Sequence, residues 1–195
     1  MKKLLLCIMI LLTVSQNVVA NEQIVLKNHF LDNIEKVITI VKDKSLDKVQ
    51  RNSKIVQTLT PMFDFTLMAK LSLGKVWKQL SKKDQNKFVT LYVERMKQSY
   101  SSKIDAYSDE KVEVTQIKQS KSNRIELITN LVSKENKLEV SYKFYKPKNL
   151  KMDKDRWLIY DVVIVGVSIL KTDKAQFREF LQTKSIQELM IQIKL

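Results

Sequence analysis

The chain is 195 residues long, and its 35 Lys and Arg against 21 Asp and Glu give a formal net charge of +14. That length builds one domain with a sizeable core, while two Gly and two Pro leave no glycine-rich phosphate loop, low-complexity linker or repeat. One Cys and one His exclude a disulfide framework and leave a zinc-type site without ligands, so no metal and no cofactor is expected.

The first twenty residues have the layout of a secretory signal peptide. Lys2 and Lys3 precede an apolar run from Leu4 to Val14, a polar stretch at Ser15-Gln16-Asn17, and the small residues Val18-Val19-Ala20. The cysteine, Cys7, lies inside this leader behind Leu6 rather than a small residue, which does not fit a lipoprotein signal. The expected organisation is a signal peptide at 1–20 and a single domain at 21–195, in the periplasm and without a thiol. Removing Lys2 and Lys3 leaves the chain strongly basic. Inside a cell that balance would suggest nucleic acid. A secreted chain instead meets phospholipid head groups, lipopolysaccharide and acidic protein surfaces, so no nucleic-acid partner is expected. The same lysines, spread along the chain, can equally serve solubility.

The mature chain begins helical. Ile24, Leu31, Ile34, Val37, Ile38 and Val41 recur at helical spacings, Ser45 to Leu59 reads as a second helix stopped by Pro61, and Phe63 to Leu71 as a third ended by Gly74. Ser81-Lys82-Lys83-Asp84 resembles a capping box. Phe88, Tyr92, Met96 and Tyr100 follow at a strict spacing of four, supported by Leu91 and Ile104. After Tyr107 the period becomes alternating. Ile125, Leu127 and Leu131, then Leu138, Val140, Tyr142 and Phe144, read as half-covered strands. Trp157 to Leu170 is apolar on both alternating faces and reads as a central strand. Asp173 to Leu181 and a helix opened by the capping box Ser185-Ile186-Gln187-Glu188 close the chain. The order predicts an α+β domain, with an N-terminal helical block and C-terminal helices packed on a curved, mainly antiparallel sheet.

Catalytic chemistry is thinly represented. His29 lies on an amphipathic helix with no partner in sequence. Asp64, in Phe63-Asp64-Phe65, and Asp161, inside the long strand, are carboxylates in apolar surroundings. Each could be a general base with a raised pKa, or a helix cap and hydrogen-bond acceptor; the second reading needs no further catalytic group and is preferred. No catalytic residue is assigned.

Phe63-Asp64-Phe65, Met68-Ala69, Leu73-Gly74, Trp77, Leu80-Ser81 and Phe88 resemble the N-terminal signature of the MlaC, or toluene-tolerance, family. A second matching run, Trp157-Leu158-Ile159-Tyr160-Asp161-Val162, Gly166-Val167-Ser168 and Gln176-Phe177, stands at the family's separation, and Tyr100 also matches. Val165 replaces a common Glu and Thr172-Asp173-Lys174 an Asn-Tyr-Arg-like run, which removes any contact those side chains would make. The resemblance implies an NTF2-like, cavity-enclosing fold. It also implies a monomeric periplasmic phospholipid carrier of the Mla ABC transport system, which maintains outer-membrane lipid asymmetry. Its partners would be phospholipid, an inner-membrane transporter bearing an MCE-domain protein, and an outer-membrane lipoprotein–porin complex.

Such a carrier sheathes acyl tails in a dry cavity, here expected between the sheet and the helices around 63–73 and 88–107. The candidate lining residues are Phe65, Met68, Leu73, Trp77, Leu91, Tyr92, Met96, Tyr100, Ile104, Tyr142, Phe144, Val162, Ile164 and Val167. Asp161 and Gly166 are expected to be structural, the glycine marking a bend, bulge or close approach. Two other functions stay open on the residues alone: a small-molecule enzyme using Asp161 or Asp64, and a basic envelope-interaction protein with no cavity.

Overall fold

The computed structural model describes residues 2–105, 110–134, 136–149 and 155–194, with side chains from residue 21 onward except at 100–105. Helices α1 (Lys2–Lys42), α2 (Lys48–Leu59), α3 (Phe65–Leu73) and α4 (Lys82–Asp105) precede five strands: β1 (Lys111–Lys121), β2 (Arg124–Val132), β3 (Lys137–Tyr145), β4 (Leu158–Ile164) and β5 (Val167–Ser168). Helices α5 (Ile169–Phe180) and α6 (Ile186–Gln192) follow. The strands form one open antiparallel sheet in sequence order, so the α+β architecture expected from the residue pattern is the one observed.

Helix boundaries follow local chemistry. Asp47 accepts from the Gln50 amide and Gln50 Oε1 accepts from the Asp47 amide, a reciprocal cap that starts α2. Thr60–Met62 is a single 3-10 turn with Pro61 inside it, after which Asp64 caps α3 by accepting from the Leu67 amide at 2.9 Å. Ser81 caps α4 from the Asp84 amide, and Ser185 and Glu188 form the full box at α6. Ser168 opens α5.

Two expectations need correcting. Trp157 to Leu170 is not one strand: β4 stops at Ile164, Val165 and Gly166 turn the chain, and Ser168 already caps a helix. Both turn residues have positive φ, 49° and 77°, the two-residue hairpin geometry whose twist suits the flanking strands. Gly166 thus marks a reversal rather than a bend. A β-branched residue in that region is strained, on the order of 1–3 kcal/mol. Nor is β4 flanked by two full strands. Beyond it lie the two residues of β5 and a parallel bridge from Phe63 to Ile159, where the Asp64 amide donates to the Ile159 carbonyl. β4 is apolar on both faces because helices and sheet meet there.

Two apolar clusters result. One unites α3, α4, α5 and α6 around Met68, Phe88, Tyr92, Phe177 and Leu189. The other lies between α1 and one face of the sheet, around Leu26, Phe30, Ile125, Leu127, Phe144 and Ile159. Lys143 and Asp161 project from the opposite face, since successive strand residues alternate. There Asp161 receives the Ser168 hydroxyl and the Leu170 amide, which fixes the start of α5 against β4.

Candidate functional site

The face of the sheet beneath α1 is built by cross-strand rows. Ile125, Phe144 and Ile159 form the first row; Ile117, Leu127, Tyr142 and Val162 the second; Val114, Thr129, Val140 and Ile164 the third; Val112, Leu131 and Leu138 the last. Period-two alternation puts these side chains on one surface, while Glu126, Lys143 and Asp161 face away.

Cover over this face is graded. In the first row Phe144 is 1% exposed, beneath Phe30, also 1% exposed. Phe30 sets its ring 6.3 Å from Phe144 at 85° and 4.7 Å from Tyr142 at 57°. Further along, Leu127, Val162, Thr129 and Val140 stay buried while Ile117, Tyr142, Val114, Ile164 and Val112 are only partly buried, together with Leu31 and Ile34 of α1, so cover thins mainly toward the edges of the sheet. At the last row Leu138 is 37% exposed. The surface is therefore an apolar trough, closed at the Phe30 end and half-open at the Leu138 end.

Polar links from α1 to the sheet cluster at the closed end among the described residues. Gln23 donates to Gln119 at 2.9 Å, and Glu22 receives Lys146 at 2.8 Å and Arg156 at 2.9 Å. His29 meets Asp155 at 2.8 Å, and Lys146 lies over the Trp157 ring. His29 is thus a surface tether for α1. Burial pushes the Tyr142 phenol up to about 12. On the outer face Tyr145 donates to Asp64, and burial followed by that carboxylate raises its pKa as well.

The candidate carboxylates are fully engaged. Asp64 caps α3 and accepts from Tyr145. Asp161 accepts from Ser168 at 2.8 and 3.0 Å and from the Leu170 amide at 3.2 Å, with Lys143 at 3.4 Å. These are the bonds of caps and anchors. No group of three or more His, Asp or Glu able to hold a metal occurs among the described residues.

The fourteen candidate lining residues do not form one wall. Met68, Leu73, Trp77, Tyr92 and Met96 are buried in the helical cluster, with Phe65 and Leu91 packed against it. Tyr142, Phe144, Val162 and Ile164 lie together on the trough face. Val167, in the two-residue strand β5, is 60% exposed. Tyr100 and Ile104 fall on α4, and their side chains lie outside the described residues, as do residues 106 and 107 of the expected cavity boundary. The helix over the sheet is α1, not α4, whose packing partner is α3.

Sequence reasoning passed over Leu26 and Phe30, which with Ile34 recur every four residues and were the available signal; Ile24, counted in that stripe, is 56% exposed. It also passed over Val112, Val114 and Ile117, because a bulge between Val114 and Gln116 breaks the alternation of β1. Two surface depressions belong to the helical layer and not to the sheet. One, of about 390 Å³, includes Arg95, Gln176 and Phe180, and the other, of about 510 Å³, includes Thr66, Trp77 and Asn86.

The profile of the MlaC protein family matches residues 31–194. Among solved structures, one similar fold is that of a phospholipid-binding protein from Ralstonia solanacearum, determined in complex with a phospholipid. It has a TM-score of 0.73 at 15% identity, covering 85% of this chain and 93% of that one. No curated protein sequence matches the chain.

Proposed function

The chain belongs to the MlaC family, and from that premise we propose that it is a periplasmic phospholipid carrier whose acyl tails lie in the trough between α1 and the sheet. The observation that carries this reading is the graded cover of an otherwise apolar face. A phospholipid exposes roughly 30 methylenes at about 0.8 kcal/mol each, so crossing water unaided is negligible and both tails must be sheathed. The similar fold from Ralstonia solanacearum, which binds a phospholipid, supports the same reading.

Tails enter at the Leu138 end, where cover is thinnest, and reach toward Phe30 and Phe144. Because α1 is tied by ion pairs at Glu22 and His29 and, among the described residues, meets the sheet beyond them by packing, the helix swings from its closed end and makes room along the half-open rows. The head group stays outside, near solvent, and the basic surface steers anionic membranes and partners toward the protein. Residues 1–20 are the signal peptide, 21–195 form the carrier domain, and the lipid is cargo rather than a cofactor. The carrier works as a monomer between an outer-membrane lipoprotein–porin complex and an inner-membrane ABC transporter bearing an MCE-domain protein.

Val114→Trp tests the location. Val114 is partly buried on β1, where an indole is well tolerated by strand geometry. The variant is expected to fold with an unchanged circular dichroism spectrum and to carry much less phospholipid after purification. A folded variant with an undiminished lipid load would place the tails elsewhere.

A further inference from the structure

Three polar side chains stand on the face that lines the trough: Gln119, Thr129 and Tyr142. Two are satisfied. Gln119 accepts from Gln23 at 2.9 Å, and the Thr129 hydroxyl donates to the Val140 carbonyl at 2.9 Å. Tyr142 differs. Its ring packs on Phe30, and its hydroxyl has no hydrogen-bond partner among the described residues. Tyr92 and Tyr145, by contrast, donate to Asp173 and Asp64. The Tyr142 hydroxyl is not one of the fully buried polar atoms without a partner, so in the lipid-free chain it is open to water, and a tail that displaces this water leaves a donor to be satisfied by the lipid itself.

Tyr142 sits in the second row, where cover is incomplete, so its hydroxyl can be reached from the open end of the trough. It is a donor at any pH near neutrality. A diacyl glycerophospholipid has two kinds of acceptor. Its phosphate oxygens are charged and stay with water, whereas its ester carbonyls travel with the tails into apolar surroundings. We propose that the Tyr142 hydroxyl donates a hydrogen bond to an acyl-ester carbonyl of the bound lipid, which makes the ester linkage a recognised feature and Tyr142 a positioning residue. This rests on the carrier reading and names the lipid class within it: diacyl over dialkyl glycerophospholipids.

The test uses delipidated full-length mature protein with two probes of equal chain length, a diacyl phosphatidylethanolamine and its dialkyl ether analogue, in competition read by native mass spectrometry. One net hydrogen bond predicts about a fivefold preference of the wild type for the ester lipid. Tyr142→Phe should abolish that preference by weakening ester binding while leaving ether binding and the melting temperature of the delipidated protein unchanged. Equal binding of both probes by the wild type, or an equal loss for both in Tyr142→Phe, would overturn the ester contact and leave the carrier reading intact. Failure of the wild type to bind either probe would overturn both.

Discussion

At the scale of single residues, the alkaline behaviour of the phenols reports how well the trough excludes water. The Tyr142 pKa is about 12 in the folded chain because of burial, against about 10 in an unfolded one. A raised pKa contributes stability that is complete below about 10 and is lost as pH rises toward 12, since only the unfolded chain then ionises freely. The loss is on the order of 2 kcal/mol for two units of pKa. Tyr145, raised by burial and by Asp64, adds its own loss in the same alkaline direction. Urea unfolding between pH 9 and 12 should therefore show a shallower decline in Tyr142→Phe than in the wild type. Identical slopes would mean that water reaches the phenol freely.

Elements are joined in this chain by a small number of buried polar contacts, and Asp173 is the plainest. It lies on α5 at 3% exposure and receives the Tyr92 hydroxyl and the Arg95 guanidinium of α4, each at 2.7 Å. Arg95 also lies over the Phe177 ring. Asp173→Ala strands a buried hydroxyl and a partly buried cation, so we expect a loss of about 2–4 kcal/mol, read as a lowered denaturation midpoint. A change below about 0.5 kcal/mol would show that α4 and α5 are held by apolar packing alone. This contact could not be read from the chain, because Tyr92 and Asp173 are far apart in sequence and only the fold brings them together.

The elements themselves were more legible than their assembly. Caps at Ser81 and Ser185, the stop at Pro61 and the alternation through Leu138 to Phe144 are local, and local chemistry survives in sequence. The stripe of Phe88, Tyr92 and Met96 was equally visible, yet periodicity says only that a face is covered, not by what. Those residues meet Phe177 and Leu189, while the trough is roofed by Leu26 and Phe30. Tyr142 and Phe144 were legible as one face of a strand because they alternate with polar neighbours, whereas β4 is apolar on both faces and only its pairing with β3 puts Val162 and Ile164 on that face.

On the scale of the whole molecule, the separation into two clusters assigns two mechanical roles. The helices α3 to α6 form a closed cluster, tied to β4 by Asp161 and to β3 by the Tyr145–Asp64 contact. Helix α1 faces the sheet across an apolar surface that is polar-linked only near Glu22, Gln23 and His29 among the described residues. Apolar contact is non-directional, so under the proposed carrier function tails would replace α1 side chains against the sheet without breaking directional bonds. The enzyme reading has no comparable support, since both of its carboxylates are committed to caps and anchors. The interaction-protein reading requires no lipid at all.

That difference makes bound lipid the decisive quantity. Mature protein, residues 21–195, purified from a Gram-negative periplasm, is measured by native mass spectrometry and then by solvent extraction. The account predicts a stoichiometric phospholipid that survives high salt, because the tails supply most of the affinity. A clean protein mass, with no uptake from phospholipid vesicles, would contradict it.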